Sequence, residues 1–356
     1  MEQCLKALVL GISLWSLNHP TPAAAQNETT HAPAVPETRA EAKPDPAPVP
    51  PPATKVPLAL VKLGTAETFS DYAFLMDKSS RTLTVWKNNG DQLEMVTAHP
   101  ADVGRKSGNK MAVGDYRTPE GIYFFHRNLE DQNLSLDGVK QFTTAAFTTD
   151  YPNFFDRLDG KTGNGIWLHA IPDHISLARG SRGCVVVRND VLKALGKYIR
   201  LDETPIIITD EVKYVDPSTV AEKRQKLLAW LENWRATWQS RQIDKYINFY
   251  GPQFSSMGLD RAHWKTYKQS LNEKYSFIKI GLKEPALYIH QNTAIARFLQ
   301  EYSSDKNSDF GEKTLYLRID GNEPVIVGEE WRPITDQVVV KKYSDANVLS
   351  QVNQNQ

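Results

Sequence analysis

The sequence predicts a mainly β domain followed by an α+β domain, and three observations carry that expectation. Short runs rich in β-branched and aromatic residues, separated by Gly, Asn and Pro turns, fill residues 58–212. From Ala221 the pattern changes to a long run of helix formers, and strand-like segments return only after it. Nearly all the tryptophan, tyrosine and phenylalanine lies between residue 58 and about residue 338, enough chain for two domains of ordinary size.

Residues 1–25 have the layout of a secretory signal peptide. Lys6 precedes an apolar run from Ala7 to Leu17, and Ala23, Ala24 and Ala25 stand before Gln26. The run is well short of the roughly 20 residues a membrane-spanning helix needs. Cleavage near Ala25 and release across the inner membrane into the periplasm are therefore expected, with retention as an anchor the alternative. Residues 26–57 are crowded with proline and alanine and hold almost nothing to bury, which predicts an extended, solvated linker.

In the first domain, residues 58–212, Tyr72 to Met76 and Arg81 to Trp86 are β-rich. The turn residues Asn88, Asn89, Gly90 and Asp91 then lead to Leu93 to Thr97, an antiparallel hairpin pattern. Further strands are expected at Gly121 to Phe125, Gly165 to His169 and Pro205 to Thr209. One helix, capped by Asn189 or Asp190, repeats Val191, Leu192, Leu195 and Ile199 at helical spacing. The second domain, residues 213–338, opens on a helix from Ala221 to Gln239, with Leu227, Leu228, Leu231 and Trp234 on its apolar face and Trp230 and Trp238 beside it. A second helical stretch covers Ile243 to Phe249. Strands follow near Tyr275 to Ile280, Ala286 to Ile289, Ala294 to Tyr302, Lys313 to Ile319 and Pro324 to Trp331, an α+β order. Residues 339–356 are a polar tail.

The 42 basic and 42 acidic residues cancel, and a nucleic-acid binder would show a basic excess. Zinc-type cysteine spacing and a phosphate-binding Gly loop are both missing, so neither metal nor cofactor is expected. Of the 2 cysteines, Cys4 lies in the leader, which leaves Cys184 without a disulfide partner in an oxidising compartment. Such a thiol is a nucleophile or is well hidden. It sits in Gly180-Ser181-Arg182-Gly183-Cys184, after a strand that ends at His169. A histidine can take the thiol proton, the thiolate can attack an amide carbonyl, and N–H groups around Gly183 and Cys184 can hold the oxyanion. Arg179, Arg182 and Arg188 bring cations near Cys184 that can lower its pKa and bind substrate carboxylates. Arg182 is best placed, inside the loop. His174, beside Asp173, stays open as a second base.

These motifs and their order resemble the L,D-transpeptidase catalytic family (YkuD/ErfK type). His169-Ala170 and Ser181-Arg182-Gly183-Cys184 match its signature. The segment from Arg117 to Tyr123, Tyr151-Pro152-Asn153 with Asp156, and the segment from Gly163 to Leu168 resemble the branch that handles cell-wall peptides. The resemblance implies a YkuD-type fold and an enzyme of peptidoglycan stem peptides that needs no metal. Cys184 would attack the carbonyl of the L-centre of meso-diaminopimelate and expel D-alanine, with His169 as general base. Ser181 and Gly183 would shape the loop and oxyanion site, and Arg182, Tyr151 and Asn153 would bind substrate. Two positions depart from many relatives: Arg182 stands in place of a histidine, and Val186 in place of an arginine.

The second domain resembles the cone-shaped fold shared by nuclear transport factor 2, SnoaL and ketosteroid isomerase. Tyr246, Phe249 and Tyr250 in a helix-rich opening and a late Gly-Glu-Glu-Trp run ending at Trp331 carry that likeness. A binding role toward a wall glycan, peptide or protein is expected of it, with aromatic filling of the cone as the plainer alternative. The same pairing occurs in cell-shape L,D-carboxypeptidases. The expected activity is thus an L,D-transpeptidase of cell-wall biogenesis that passes the acyl group to an amine. The alternatives are an L,D-carboxypeptidase trimming tetrapeptides to tripeptides and, in another class, an inactive wall-binding protein.

Overall fold

The computed structural model describes residues 45–335, except 91, 130–134, 137–138, 141–145 and 322. The leader, the first part of the linker and the polar tail lie outside the described residues. No described helix is long and apolar enough to cross a membrane.

After β1 (Val56–Pro57) and β2 (Leu60–Lys62), the first domain opens on a meander of β3 (Tyr72–Asp77), β4 (Thr82–Asn89) and β5 (Gln92–Pro100). It continues through β6 (Gly121–Asn128), a ribbon of β7 (Ser135–Leu136) and β8 (Val139–Lys140), β9 (Ala146–Thr149) and α1 (Phe154–Leu158). β10 (Trp167–Ile171), β11 (Val185–Arg188), α2 (Asn189–Gly196) and β12 (Pro205–Thr209) complete it. Eight of these strands form one sheet in the order β11-β10-β9-β6-β12-β3-β4-β5. The expected hairpin is there, turning at Gly90 with φ +58°, a left-handed conformation that glycine adopts without strain. The helix cap differs from expectation. α2 follows β11 without a loop, so Arg188 occupies the cap position with no side-chain cap bond, and Asp190 lies in the first turn, where its charge favours the helix dipole.

β13 (Tyr214–Val215) pairs with β1 and leads to α3 (Pro217–Gln239), α4 (Ile243–Tyr246), β14 (Tyr250–Ser256), β15 (Leu259–Asp260) and α5 (Arg261–Lys274). Four long strands follow: β16 (Ile278–His290), β17 (Thr293–Ser304), β18 (Ser308–Arg318) and β19 (Val325–Pro333). The sheet runs β15-β14-β19-β18-β17-β16-β2 and curves around α3, whose Leu227, Trp230, Leu231, Trp234 and Trp238 fill its concave side. Two expected strands merge into β16 across an irregularity between Lys283 and Ala286, where Glu284 has φ +52°. Helix α5 was not expected: Trp264 and Lys268 are its only buried residues, too few for an apolar stripe to show in the sequence.

The two sheets share an apolar layer. In β3, β6 and β12, Phe74, Met76, Tyr123, Phe125, Ile206 and Ile208 face the first domain's own core, while Ala73, Leu75, Ile122, Phe124 and Ile207 face the second domain. There they meet Tyr288, Ile295, Tyr316 and Val327. β2, which precedes the first domain's strands, is an edge strand of the second sheet, with Leu60 opposite Tyr288 and Lys62 opposite Leu287. Arg297 lies 4.4 Å from the Phe124 ring centre, pairs with Glu312 and donates to the Asp202 carbonyl at 2.8 Å. Phe154 stacks on Tyr316 with ring centres 4.4 Å apart. A Cβ at Gly328 would lie 2.1 Å from the Phe154 Cζ, so this glycine leaves room for the stack.

Gly328→Ala is accordingly expected to lower stability by about 1–3 kcal/mol through overpacking. Most of that loss should vanish in a Phe154→Ala background. Urea unfolding of the wild type, both single variants and the double variant measures the coupling. Equal losses in the two backgrounds would acquit Phe154.

Candidate active site

The parallel pairing of β10 with β11 sets His169 beside Val186. Leu168, Ala170, Val185 and Val187 point into the first domain's core, so His169, Val186 and Cys184 project from the opposite face. Cys184 packs there with Ile171, Leu177 and Val186. Its Sγ donates to the Gly165 carbonyl at 3.5 Å. His169 Nδ1 lies 3.0 Å from the Ala170 carbonyl oxygen. That oxygen can only accept, so in the neutral ring Nδ1 carries the proton and Nε2 is left as the basic nitrogen. Both residues line one cavity of about 440 Å³, together with Gly163 to Ile166, Ser181 and Arg182.

The loop around Cys184 is fixed by short contacts. Ser181 Oγ donates to the Cys184 carbonyl at 2.7 Å and accepts the Gly183 N–H at 2.9 Å. That second bond corrects an expectation, because it takes the Gly183 N–H away from any oxyanion. Gly183 has φ +137°, and a Cβ there would stand 2.7 Å from the Arg117 carbonyl oxygen. No other residue fits without moving backbone.

Asp102, which the sequence reading missed, holds both ends of this loop. Its backbone exchanges two 2.8 Å hydrogen bonds with Val186, and its carboxylate accepts the Gly180 N–H at 2.6 Å and the Val103 N–H at 2.9 Å. Arg81 donates to the same carboxylate at 2.5 Å. Burial pushes the Asp102 carboxyl above its ordinary range, against the pull of those N–H groups and of Arg81 and Arg179. Its signal was a lone acid in the apolar run Ala101-Asp102-Val103.

The opposite wall comes from the loop before β6, with Lys110, Val113, Gly114 and Tyr116 facing the cavity. Asp115 organises it, accepting from Lys110 Nζ at 2.8 Å and from the N–H groups of Met111, Ala112 and Arg117 at 2.8, 3.0 and 3.1 Å. Burial alone would raise its pKa, but these donors hold the carboxyl well below the usual range. Buried Lys78 ties this loop to the strands through the Gly108 carbonyl at 2.8 Å and Glu120 at 2.7 Å.

Other expected site residues lie elsewhere. Tyr151 is buried and donates its hydroxyl to the Thr162 carbonyl at 3.0 Å, while Asn153 caps α1 and donates to the Ile122 carbonyl at 2.8 Å. Neither lines the Cys184 cavity, and their polar groups are spent on backbone. His174 and Arg179 are exposed and do not line it. Arg188 does not line the cavity and pairs with Asp45. Arg182 alone of the three expected cations reaches the cavity.

The profile of the L,D-transpeptidase catalytic domain (YkuD) matches residues 71–208, and that of the Cds6 C-terminal NTF2-like domain matches residues 226–330. The structure of Bd1075 from Bdellovibrio bacteriovorus is similar at 44% identity and a TM-score of 0.72, covering 80% of this chain and 100% of that one. The helical cell shape determining protein Pgp2 from Campylobacter jejuni shares the fold at 23% identity and a TM-score of 0.62, covering 76% of this chain and 94% of that one. No curated protein sequence is similar enough to count as a match.

Removing the Asp102 carboxylate strands the buried Gly180 and Val103 N–H groups, a loss of about 1–3 kcal/mol. Asp102→Ala is expected to lower the Tm and speed amide exchange at Gly180 to Val186, with Asp102→Asn in between. Wild-type exchange in that segment would show that other contacts hold the loop.

Proposed function

This chain belongs to the L,D-transpeptidase (YkuD) catalytic-domain family, with a C-terminal NTF2-like domain, and on that premise we propose that it is a cysteine acyltransferase of peptidoglycan stem peptides. The observation that carries the proposal is the His169 tautomer set by the Ala170 carbonyl, on the same strand face and in the same cavity as Cys184. His169 Nε2 takes the thiol proton, and the Cys184 thiolate attacks the carbonyl of the L-centre of meso-diaminopimelate. The amide C–N bond breaks as His169 returns the proton to the departing D-alanine nitrogen, leaving a thioester. Arg182, on the cavity wall, binds the D-alanine carboxylate, a fork geometry suited to that anion. Activation by His169 of an amine on a second stem peptide completes a transpeptidation.

A second reading, transfer to water, draws support from the two-domain pairing. Pgp2, a helical cell shape determining protein, carries the same arrangement over 94% of its length, and this pairing resembles that of cell-shape L,D-carboxypeptidases. In either reading the enzyme works in the periplasm on cell-wall stem peptides and contributes to cell shape.

We assign the second domain a binding role toward wall glycan or peptide. Buried Lys268 lies 3.9 Å from the Trp238 ring centre and 4.6 Å from that of Trp264, and Lys313 pairs with buried Glu329 at 3.1 Å. Gln300 Oε1 and Glu329 Oε1 are buried without a hydrogen-bond partner. Interiors seldom leave such groups unmet, and a bound water or a polar ligand would satisfy them.

Cys184→Ala should abolish turnover of tetrapeptide muropeptides with the fold intact, and His169→Ala should slow acylation by about 10²-fold. Mass spectrometry of the products separates cross-linked stems from tripeptides. Wild-type turnover by Cys184→Ala would sink the assignment.

Arg182→Ala should raise KM for a tetrapeptide more than it lowers kcat, because the carboxylate contact exists before the transition state. Steady-state kinetics on the tetrapeptide and its C-terminal amide test this. An equal response from both substrates would assign Arg182 to loop order instead.

A further inference from the structure

The proline-rich segment before the first domain is expected to be solvated, yet its described part is held against the protein, by Lys55 on Asp216 and the pairing of β1 with β13 and, nearer the site, at two further points. Asp45 accepts from Arg188 through both carboxylate oxygens, Nε to Oδ2 at 2.6 Å and Nη2 to Oδ1 at 2.5 Å. Further on, the Val49 N–H donates to Thr82 Oγ1 at 2.9 Å. Each of these two points adjoins the site's supports. Arg188 closes β11, the strand that starts at the residue after Cys184. Its remaining nitrogen donates to the Pro172 carbonyl at 3.0 Å and the Ile175 carbonyl at 2.8 Å, both in the loop that leaves His169. Leu177 packs in the same apolar cluster as Cys184. Thr82 follows Arg81, the cation on Asp102.

We propose that Asp45 is a positioning residue for the active site, and that the segment from Asp45 to Val49 acts as a strap ordering the loop between His169 and Cys184. A guanidinium that spends its donors on carbonyls alone keeps its charge uncompensated. Asp173 and Asp190 also act on Arg188, but Asp45 is the anion that bonds it, in the bidentate geometry that fixes the direction of the arginine plane. With the plane fixed, the carbonyls of Pro172 and Ile175 are held in place. Arg188 side-chain exposure is 12% and that of Asp45 is 23%, so the pair is shielded enough to outlast a surface ion pair. Releasing the strap loosens residues 172–180 and, through Leu177, the wall against which Cys184 rests.

The turnover arm of the test rests on the proposed reaction; the other two arms do not. In the full chain, Asp45→Ala, Asp45→Asn, Asp45→Glu and Arg188→Lys are compared with wild type by amide exchange at residues 173–180, by the alkylation rate of Cys184 and by tetrapeptide turnover. Asp45→Ala and Asp45→Asn should speed exchange about tenfold, the scale of one charge-assisted bond, and alter alkylation severalfold. Asp45→Glu should recover part of both effects, whereas Arg188→Lys, which cannot fork, should resemble Asp45→Ala. Turnover should fall through kcat more than through KM, with Tm close to wild type, because Asp45 is outside the apolar clusters. Wild-type exchange and alkylation in Asp45→Ala would overturn the strap. A wild-type protein that processes no stem peptide would instead overturn the reaction, leaving the exchange and alkylation results to stand.

Discussion

Because Leu75, Ile122 and Ile207 of the first sheet and Tyr288, Ile295 and Val327 of the second bury one another, neither sheet has a solvent face along that layer. Each large side chain withdrawn from water contributes about 1.5–3 kcal/mol, so the layer outweighs any polar contact across it. It also explains why β12 is three isoleucines in a row instead of an alternating strand: both of its faces are covered. β2 and Arg297 tie the same two bodies together at the edges of that layer.

The catalytic arrangement is then a matter of backbone more than of side chains. His169 owes its tautomer to its neighbour's carbonyl, Gly183 owes its identity to the Arg117 carbonyl, and the Ser181 hydroxyl bonds within the loop itself. Asp102 joins the two ends of the loop through backbone and carboxylate at once, which lets a buried charge act as a fixed point because N–H groups and Arg81 surround it. The thiol faces a cavity with an arginine on its wall and an apolar cluster behind it. In the proposed function an anionic peptide terminus would meet the first, and the second packs against the sulfur.

Much of this was legible in the residues. Local signals marked the hairpin at Gly90, the helix rich in leucine and tryptophan, and the curved sheet after it, because turn chemistry and apolar periodicity act over short stretches of chain. That His169, Cys184 and Arg182 share a cavity was likewise legible, since they belong to one compact motif. Asp102 and Asp115 were not, because their partners are backbone groups that leave no trace in composition. Tyr151 and Asn153 lie outside the Cys184 cavity and bond the Thr162 and Ile122 carbonyls, partners that only the fold brings to them.

The sequence by itself determined the order of the two domains, the type of most of the longer elements and the residues able to do thiol chemistry, since these follow from local propensity and side-chain reactivity. Tertiary structure alone decided that β2 joins the second sheet, that Arg188 pairs with Asp45, and that the Gly183 N–H is already engaged. Each depends on a partner distant in sequence or on a backbone dihedral, and neither is encoded by the identity of a residue and its immediate neighbours.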